Sequence, residues 1–375
     1  MTKTSAFLFK GILSAAIGAL LLYLVFRKVD GGLFLEYLLN ADLSLLGLAL
    51  VLLFASILCK AARWRVLLSA IGKPIGYGNV LASLSVGLLV DLVVPGKVGE
   101  LARVHLIGRK ERTDRTAALG TVVVERLFDL LTVMLITLGA IHVFRIEDSM
   151  ISGALVSFSH LLIVGVALLV LAIVLRKKLF RLAKKYLRIA SIDDQIWRTE
   201  RIFQGIFVVN NLFQTLLSLG LTFLMWAFFT ASFLPILYSI SIQGTHPPLH
   251  AIFVLLPLLI FGTGIPTIPG GLGVYEYVVL LCIQITLPDL ALNTPEASSS
   301  VAALGIVFHV VLIIPELMMG SWFFLKEGER FSLTTLLQRR RNKDVPETPE
   351  GMRLTGQPGE VEPTPHHQRG TPTLN

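Results

Sequence analysis

Long apolar runs alternate with short polar segments along the chain. Residues 7–26, 43–59, 117–142, 155–175, 206–234 and 301–325 are each apolar and long enough to cross a bilayer, which takes about 20 helical residues. They lack the period-two alternation of a membrane β-barrel. Three shorter runs, 80–94, 251–265 and 272–287, adjoin helix-breaking residues. The first ends at Pro95-Gly96, and the second at Pro266, followed by Pro269-Gly270-Gly271. The pattern predicts an all-α polytopic membrane protein, a helical bundle with two pseudo-symmetric halves, 1–175 and 206–328. Re-entrant or broken helices are expected at the Pro-Gly motifs. A basic amphipathic cytoplasmic segment, 176–205, is expected to join the halves. Residues 329–375, rich in Pro, Gly, Thr and Glu, are expected to form a disordered cytoplasmic tail.

Composition agrees with the pattern. The chain is 54% hydrophobic and 15% charged, against about 25% charged in a soluble domain. Lys3 and Lys10 lead into the first run, but Arg27, Lys28 and Asp30 follow it instead of small residues. That order predicts an uncleaved first span rather than a signal peptide. The net charge of +8 is better explained by cytoplasmic loops than by nucleic acid. Basic residues gather at 60–65, 97–115, 176–188 and 326–343. This bias places both termini in the cytoplasm, in the inner (cytoplasmic) cell membrane, with 27–41, 142–154, 235–248 and 288–300 outside. The densest patch, Arg176, Lys177, Lys178, Arg181, Lys184 and Lys185, suits contact with anionic lipid. Cys59 and Cys282 read as small buried hydrophobes, and no Cys/His cluster suggests a metal or cofactor.

One motif occurs twice. Val94-Pro95-Gly96-Lys97-Val98-Gly99-Glu100 is matched by Ile268-Pro269-Gly270-Gly271-Leu272-Gly273-Val274-Tyr275-Glu276. Pro removes a backbone donor and Gly permits unusual dihedrals, so both stretches should end a helix. They read either as ordinary loop punctuation or as discontinuous helices at a transport site. In the second reading the amides that open the next helix face a lipid phosphate, with Lys97 and Arg103 as countercharge.

Charges inside apolar runs carry the remaining chemistry. Glu125 and Asp129 share a helix face, and Arg126 lies on the Asp129 side. They read either as bundle-holding ion pairs or as groups for gating or headgroup binding. Glu316 reads as a proton site or partner of a basic side chain, with His309 about two turns earlier and Asp91 and Glu276 as further candidates. Asn210 and Asn211 suit interhelical hydrogen bonds. Trp64, Trp226 and Trp322 read as interface anchors or packing residues, and Trp197 as a surface anchor. The chain has no GxxxxGK[ST], HExxH or GxSxG motif and no polar region sized for a soluble catalytic domain.

Four elements in order carry a resemblance: Lys60-Ala61-Ala62-Arg63-Trp64-Arg65, Leu92 to Arg103 around Pro95-Gly96, Glu125-Arg126-Leu127-Phe128-Asp129, and Pro269 to Glu276. Together they resemble the lysylphosphatidylglycerol synthase transmembrane family, also termed flippase-like domain proteins, over about residues 8–328. The resemblance implies translocation of a phospholipid, isoprenoid lipid or glycolipid between leaflets, without the cytosolic aminoacyltransferase domain. It places Lys97, Glu100, Arg103, Glu125, Arg126, Asp129 and Glu276 in shared motifs. The expected function is a lipid flippase or transporter, with membrane lipids and enzymes of lipid or envelope synthesis as partners. The alternatives are a membrane-embedded lipid-modifying or glycosyltransfer-associated enzyme and a non-transporting scaffold.

Overall fold

A computed structural model describes residues 3–69, 71, 74–94, 98–144, 164, 212–264, 269–290 and 292–327. Among these residues the chain is all-α. The helices are α1 (Lys3–Phe26), α2 (Gly31–Leu39), α3 (Leu43–Ser69), α4 (Tyr77–Val93), α5 (Gly99–Lys110), α6 (Arg115–Phe144), α7 (Leu212–Tyr238), α8 (Ala251–Gly262), α9 (Val274–Thr286) and α10 (Pro295–Glu327). A 3-10 turn, Pro269–Gly271, precedes α9. Three helices, α3, α7 and most of α10, are long and apolar enough to cross a membrane. The expected span 155–175 apart from Val164, the basic segment 176–205 with its lipid-contact patch, Trp197, Asn210, Asn211 and the 329–375 tail lie outside the described residues.

Several boundaries differ from the sequence reading. The expected outer loop 27–41 contains α2, started by Asp30, whose carboxylate accepts the N–H groups of Gly32 and Leu33. The polar stretch 288–300 gives way to α10 from Pro295, where the Thr294 hydroxyl accepts the Ala297 N–H. The expected run 206–234 is described as Leu212–Tyr238.

Asp42 caps α3 by accepting the Ser44 hydroxyl and the N–H groups of Ser44 and Leu45. The Ser44 hydroxyl first, then the two amides, hold the Asp42 carboxyl below its usual range. A carboxyl lowered on folding adds stability above its unfolded pKa, and that stability is lost as pH falls through the folded value. Asp42→Asn should therefore flatten the acid limb of the melting-temperature profile by lowering its neutral plateau, with little change at low pH.

Two apolar cores fix the helices. Trp64 and Leu68 of α3 pack with Val80 and Leu84 of α4, Val104 and Ile107 of α5 and Val122 of α6. The larger core joins α3, α7, α8, α9 and α10. Through it runs an edge-to-face aromatic ladder, Trp226–Phe229–Phe233–Phe308, with ring centroids 5.6, 5.1 and 5.2 Å apart. Small residues set the closest crossings, since lipid offers no hydrophobic drive between helices and backbone approach must supply contact. A Cβ on Gly320 would lie 2.5 Å from Leu89 Cβ, and one on Gly305 would lie 3.1 Å from Glu276 Cα, so α10 rides directly on α4 and α9.

The second break has left-handed backbone at Gly270, Gly271 and Gly273, with φ of 78°, 76° and 89°. Side chains other than glycine avoid this region. A Cβ on Gly270 would be 3.8 Å from Leu92 Cδ1 and 3.9 Å from the Leu92 carbonyl oxygen. The end of α4 and the second break therefore touch. Pro95, Gly96 and Lys97 lie outside the described residues.

Candidate functional site

The α6 motif is the hub of a buried ion cluster. Its one-turn spacing puts Glu125 and Asp129 on the face toward α3, where Arg63 reaches both. Arg63 Nη2 is 3.2 Å from Glu125 Oε1, and Nη1 is 2.5 Å from Asp129 Oδ1. Arg103 of α5 takes the other oxygen of Glu125, with Nη2 2.5 Å from Oε2. The Trp226 indole N–H of α7 donates to Asp129 Oδ1 at 3.1 Å. Arg126 lies 2.6 Å from Glu100 of α5 and 3.5 Å from Asp129 Oδ2. Four helices thus meet through one set of charge-assisted bonds.

Burial differs across the cluster. Arg63 and Glu125 are 0% exposed and Arg103 is 2% exposed, whereas the Arg126 side chain is 46% exposed. Single charges in such surroundings would cost several kcal/mol each, and only mutual pairing makes them tenable. Pairing is incomplete at the guanidiniums. Arg63 Nε and Arg103 Nε and Nη1 are buried and have no hydrogen-bond acceptor. The Arg103 guanidinium also stacks 4.6 Å from the Trp64 ring centroid, and the Trp64 N–H donates to Thr121 Oγ1 at 3.2 Å.

Lys60 to Arg65 lie within α3, which continues to Ser69, and both Arg63 and Trp64 are fully buried, Trp64 as a packing residue. Arg63 was missed as a site residue because basic neighbours at 60 and 65 mask it. The available signal was helical spacing, which aligns Arg63 with the buried Ala49, Ser56 and Leu67. Trp226 contacts the ion cluster directly, while Trp322 is exposed.

Both helix breaks carry their own caps. Gly99 N–H, which opens α5, donates to Asp91 Oδ1 at 2.6 Å. Gly273 N–H, at the start of α9, donates to Glu276 Oε2 at 2.8 Å. A carboxylate within the local sequence therefore occupies one of the amides at each break. Glu100 and Glu276, matched in the repeated motif, do different work: Glu100 pairs with Arg126, and Glu276 caps α9 and contacts His309 Nδ1 at 2.7 Å. Glu316 does not join the Glu125 cluster. It is half-buried on α10. Cys282 is buried and Cys59 half-buried, and both are free. Among the described residues no group of three His, Cys, Asp or Glu side chains converges as metal ligands would.

No curated protein and no solved structure is significantly similar to the chain. The family model described as lysylphosphatidylglycerol synthase TM region matches residues 11–288. The match takes in the ion cluster and both breaks and stops before α10, which carries His309 and Glu316. By a match over most of its length, the chain belongs to the lysylphosphatidylglycerol synthase TM region family.

Proposed function

We propose that the protein moves a polar-headgroup lipid between leaflets of the cell membrane without hydrolysing nucleotide. The family description gives a membrane-lipid role. The observation that carries the finer reading is Arg103, buried at 2% exposure with two donor nitrogens unaccepted, in one cluster with the half-exposed Arg126. A buried donor without an acceptor costs about 1–3 kcal/mol, and an anionic headgroup oxygen removes that cost. Arg126 and Glu100 stand at the exposed end of the cluster, where a headgroup arrives, and Arg103 and Glu125 at its buried end. The α4–α5 and α8–α9 pairs act as the two broken arms of pseudo-symmetric halves, 1–175 and 206–328. Both termini face the cytoplasm.

The test is flipping of fluorescent phosphatidylglycerol in proteoliposomes, read by quenching from one side. Arg103→Gln with Arg126→Gln should slow flipping at least ~10-fold, equivalent to about 1.4 kcal/mol, with helicity unchanged. Adding Lys97→Gln extends the set to the first break. A normal rate with every candidate lipid in the triple variant would remove these residues from the path. A scaffold reading draws on the same cluster, because its charges tie four helices to one another. It predicts that the variants alter melting or partner recovery and leave lipid movement at the protein-free rate throughout. An enzyme reading would need product formed by the purified chain from lipid and donor.

A further inference from the structure

His309 holds the second break from the side. Its Nε2 lies 2.8 Å from the Gly270 carbonyl oxygen, and its Nδ1 lies 2.7 Å from Glu276 Oε1. The ring stacks on Tyr275 at 4.3 Å and 8°. His309 is 4% exposed and Glu276 0%. A carbonyl oxygen only accepts, so Nε2 carries hydrogen and donates. A carboxylate also only accepts, so a neutral imidazole protonated at Nε2 would turn a bare Nδ1 toward Glu276 with no proton between them. The 2.7 Å contact requires one more proton, placed on Nδ1 because a free imidazole is more basic than a free carboxylate. Glu276 Oε2 is already occupied by the Gly273 N–H, which fixes the carboxyl and directs Oε1 at the ring.

We propose that Glu276 and His309 form a proton-binding site that ties α10 to the second helix break. With the proton bound, His309 bridges the turn at Gly270 and the first turn of α9. Without it, two lone pairs oppose each other at Nδ1 and Oε1 and that arm of the bridge parts, while Nε2–H stays on Gly270. Because Gly270 rests on Leu92, the tie also bears on the end of α4. The other titratable groups around the pair are Tyr275 of α9 in the stack, Glu316 of α10 acting on Tyr275, and Asp91 of α4 and Lys60 of α3 acting on Glu316. The α1 and α8 atoms at the start of α9 are Gly18, Leu21 and Gly262, which bring no charge. If the protein transports lipid as proposed above, this proton is the coupling ion. The proton site itself does not depend on that reading.

The test uses the full chain, labelled with 15N-histidine, in nanodiscs of phosphatidylethanolamine and phosphatidylglycerol. His309→Asn assigns one signal among the eight histidines. Between about pH 5 and pH 9, the wild-type Nδ1 signal should move far toward that of a bare imidazole nitrogen while Nε2 stays protonated. Glu276→Gln satisfies every bond without the extra proton, since its amide donates to Nδ1 and its oxygen accepts Gly273 N–H. In that variant the transition should vanish or move to lower pH. A wild-type Nδ1 signal constant across the range, or a transition unchanged in Glu276→Gln, overturns the site. If Glu276→Gln does not fold, the wild-type series alone decides. In proteoliposomes a proton gradient should speed flipping of fluorescent phosphatidylglycerol by wild type but not by Glu276→Gln. An intact titration without any flipping defeats the transport reading and leaves the proton site standing. Flipping indifferent to the gradient removes the coupling role.

Discussion

Arg63→Ala should destabilise the protein by about 3–5 kcal/mol, the cost of stripping one partner from a buried charge pair. Arg63 is the only guanidinium that reaches both Glu125 and Asp129 through two separate nitrogens among the described residues. Without it Asp129 keeps Arg126 at 3.5 Å and the Trp226 N–H at 3.1 Å, and Glu125 keeps Arg103. Glu125 then keeps one counterion, while Asp129 has only an Arg126 that it shares with Glu100. Arg63→Lys should recover only part of the loss, because a point ammonium cannot span both carboxylates as the planar fork does. Arg63→Met combined with Glu125→Gln and Asp129→Asn removes charge from both sides and should melt well above Arg63→Ala. Thermal unfolding in detergent, followed by helicity, reads all three. Equal melting of wild type and Arg63→Ala would contradict the cluster's structural role.

Gly99→Ala should cost about 1–3 kcal/mol, the range for an overpacked site, with the upper end expected. A Cβ there would overlap the Gly87 carbonyl oxygen and come within 2.6 Å of Asp91 Cγ. The first neighbour is backbone on α4 and cannot rotate away. The second is the carboxylate that caps α5, so the clash also disturbs the cap. Gly139→Ala on α6 is the control, since a Cβ there meets nothing within 4 Å. It should leave melting unchanged or raise it by about 0.5–1 kcal/mol through backbone entropy alone. A Gly99→Ala protein as stable as the Gly139→Ala control would mean that α4 and α5 are not in such close contact.

Strong local patterns were legible in the sequence and long-range pairings were not. The apolar runs behind α3, α6, α7 and α10 announce themselves by length, and Glu125, Arg126 and Asp129 by their shared face. Arg63 escaped because charge near the end of an apolar run looks the same whether it turns toward water or toward a carboxylate on another helix. His309 and Glu276 sit 33 residues apart, and no spacing rule connects them. The short helix α2 was hidden in a stretch too brief to span, although Asp30 ahead of it and Asn40 behind it marked its ends. At the breaks, Pro and Gly rightly signalled freed backbone donors. One donor at each break finds its acceptor within the chain, Asp91 and Glu276 standing eight and three residues away.

The union of Arg63 with α6 bears on how the chain is made. Synthesis runs from the N-terminus, so α3 reaches the membrane before either of its carboxylate partners has been translated. A lone arginine at the centre of an inserting helix is penalised by about 2.5–3.5 kcal/mol, and Lys60 and Arg65 share its end of α3. Long basic side chains ease that penalty by reaching for the headgroups. The guanidinium can therefore wait at the interface while the next stretch of polypeptide emerges, and descend into the bundle only when Glu125 and Asp129 arrive. In this protein the charge pairing of α3 is completed only by residues that follow it in the chain, so the burial of Arg63 is expected to come after the insertion of α3.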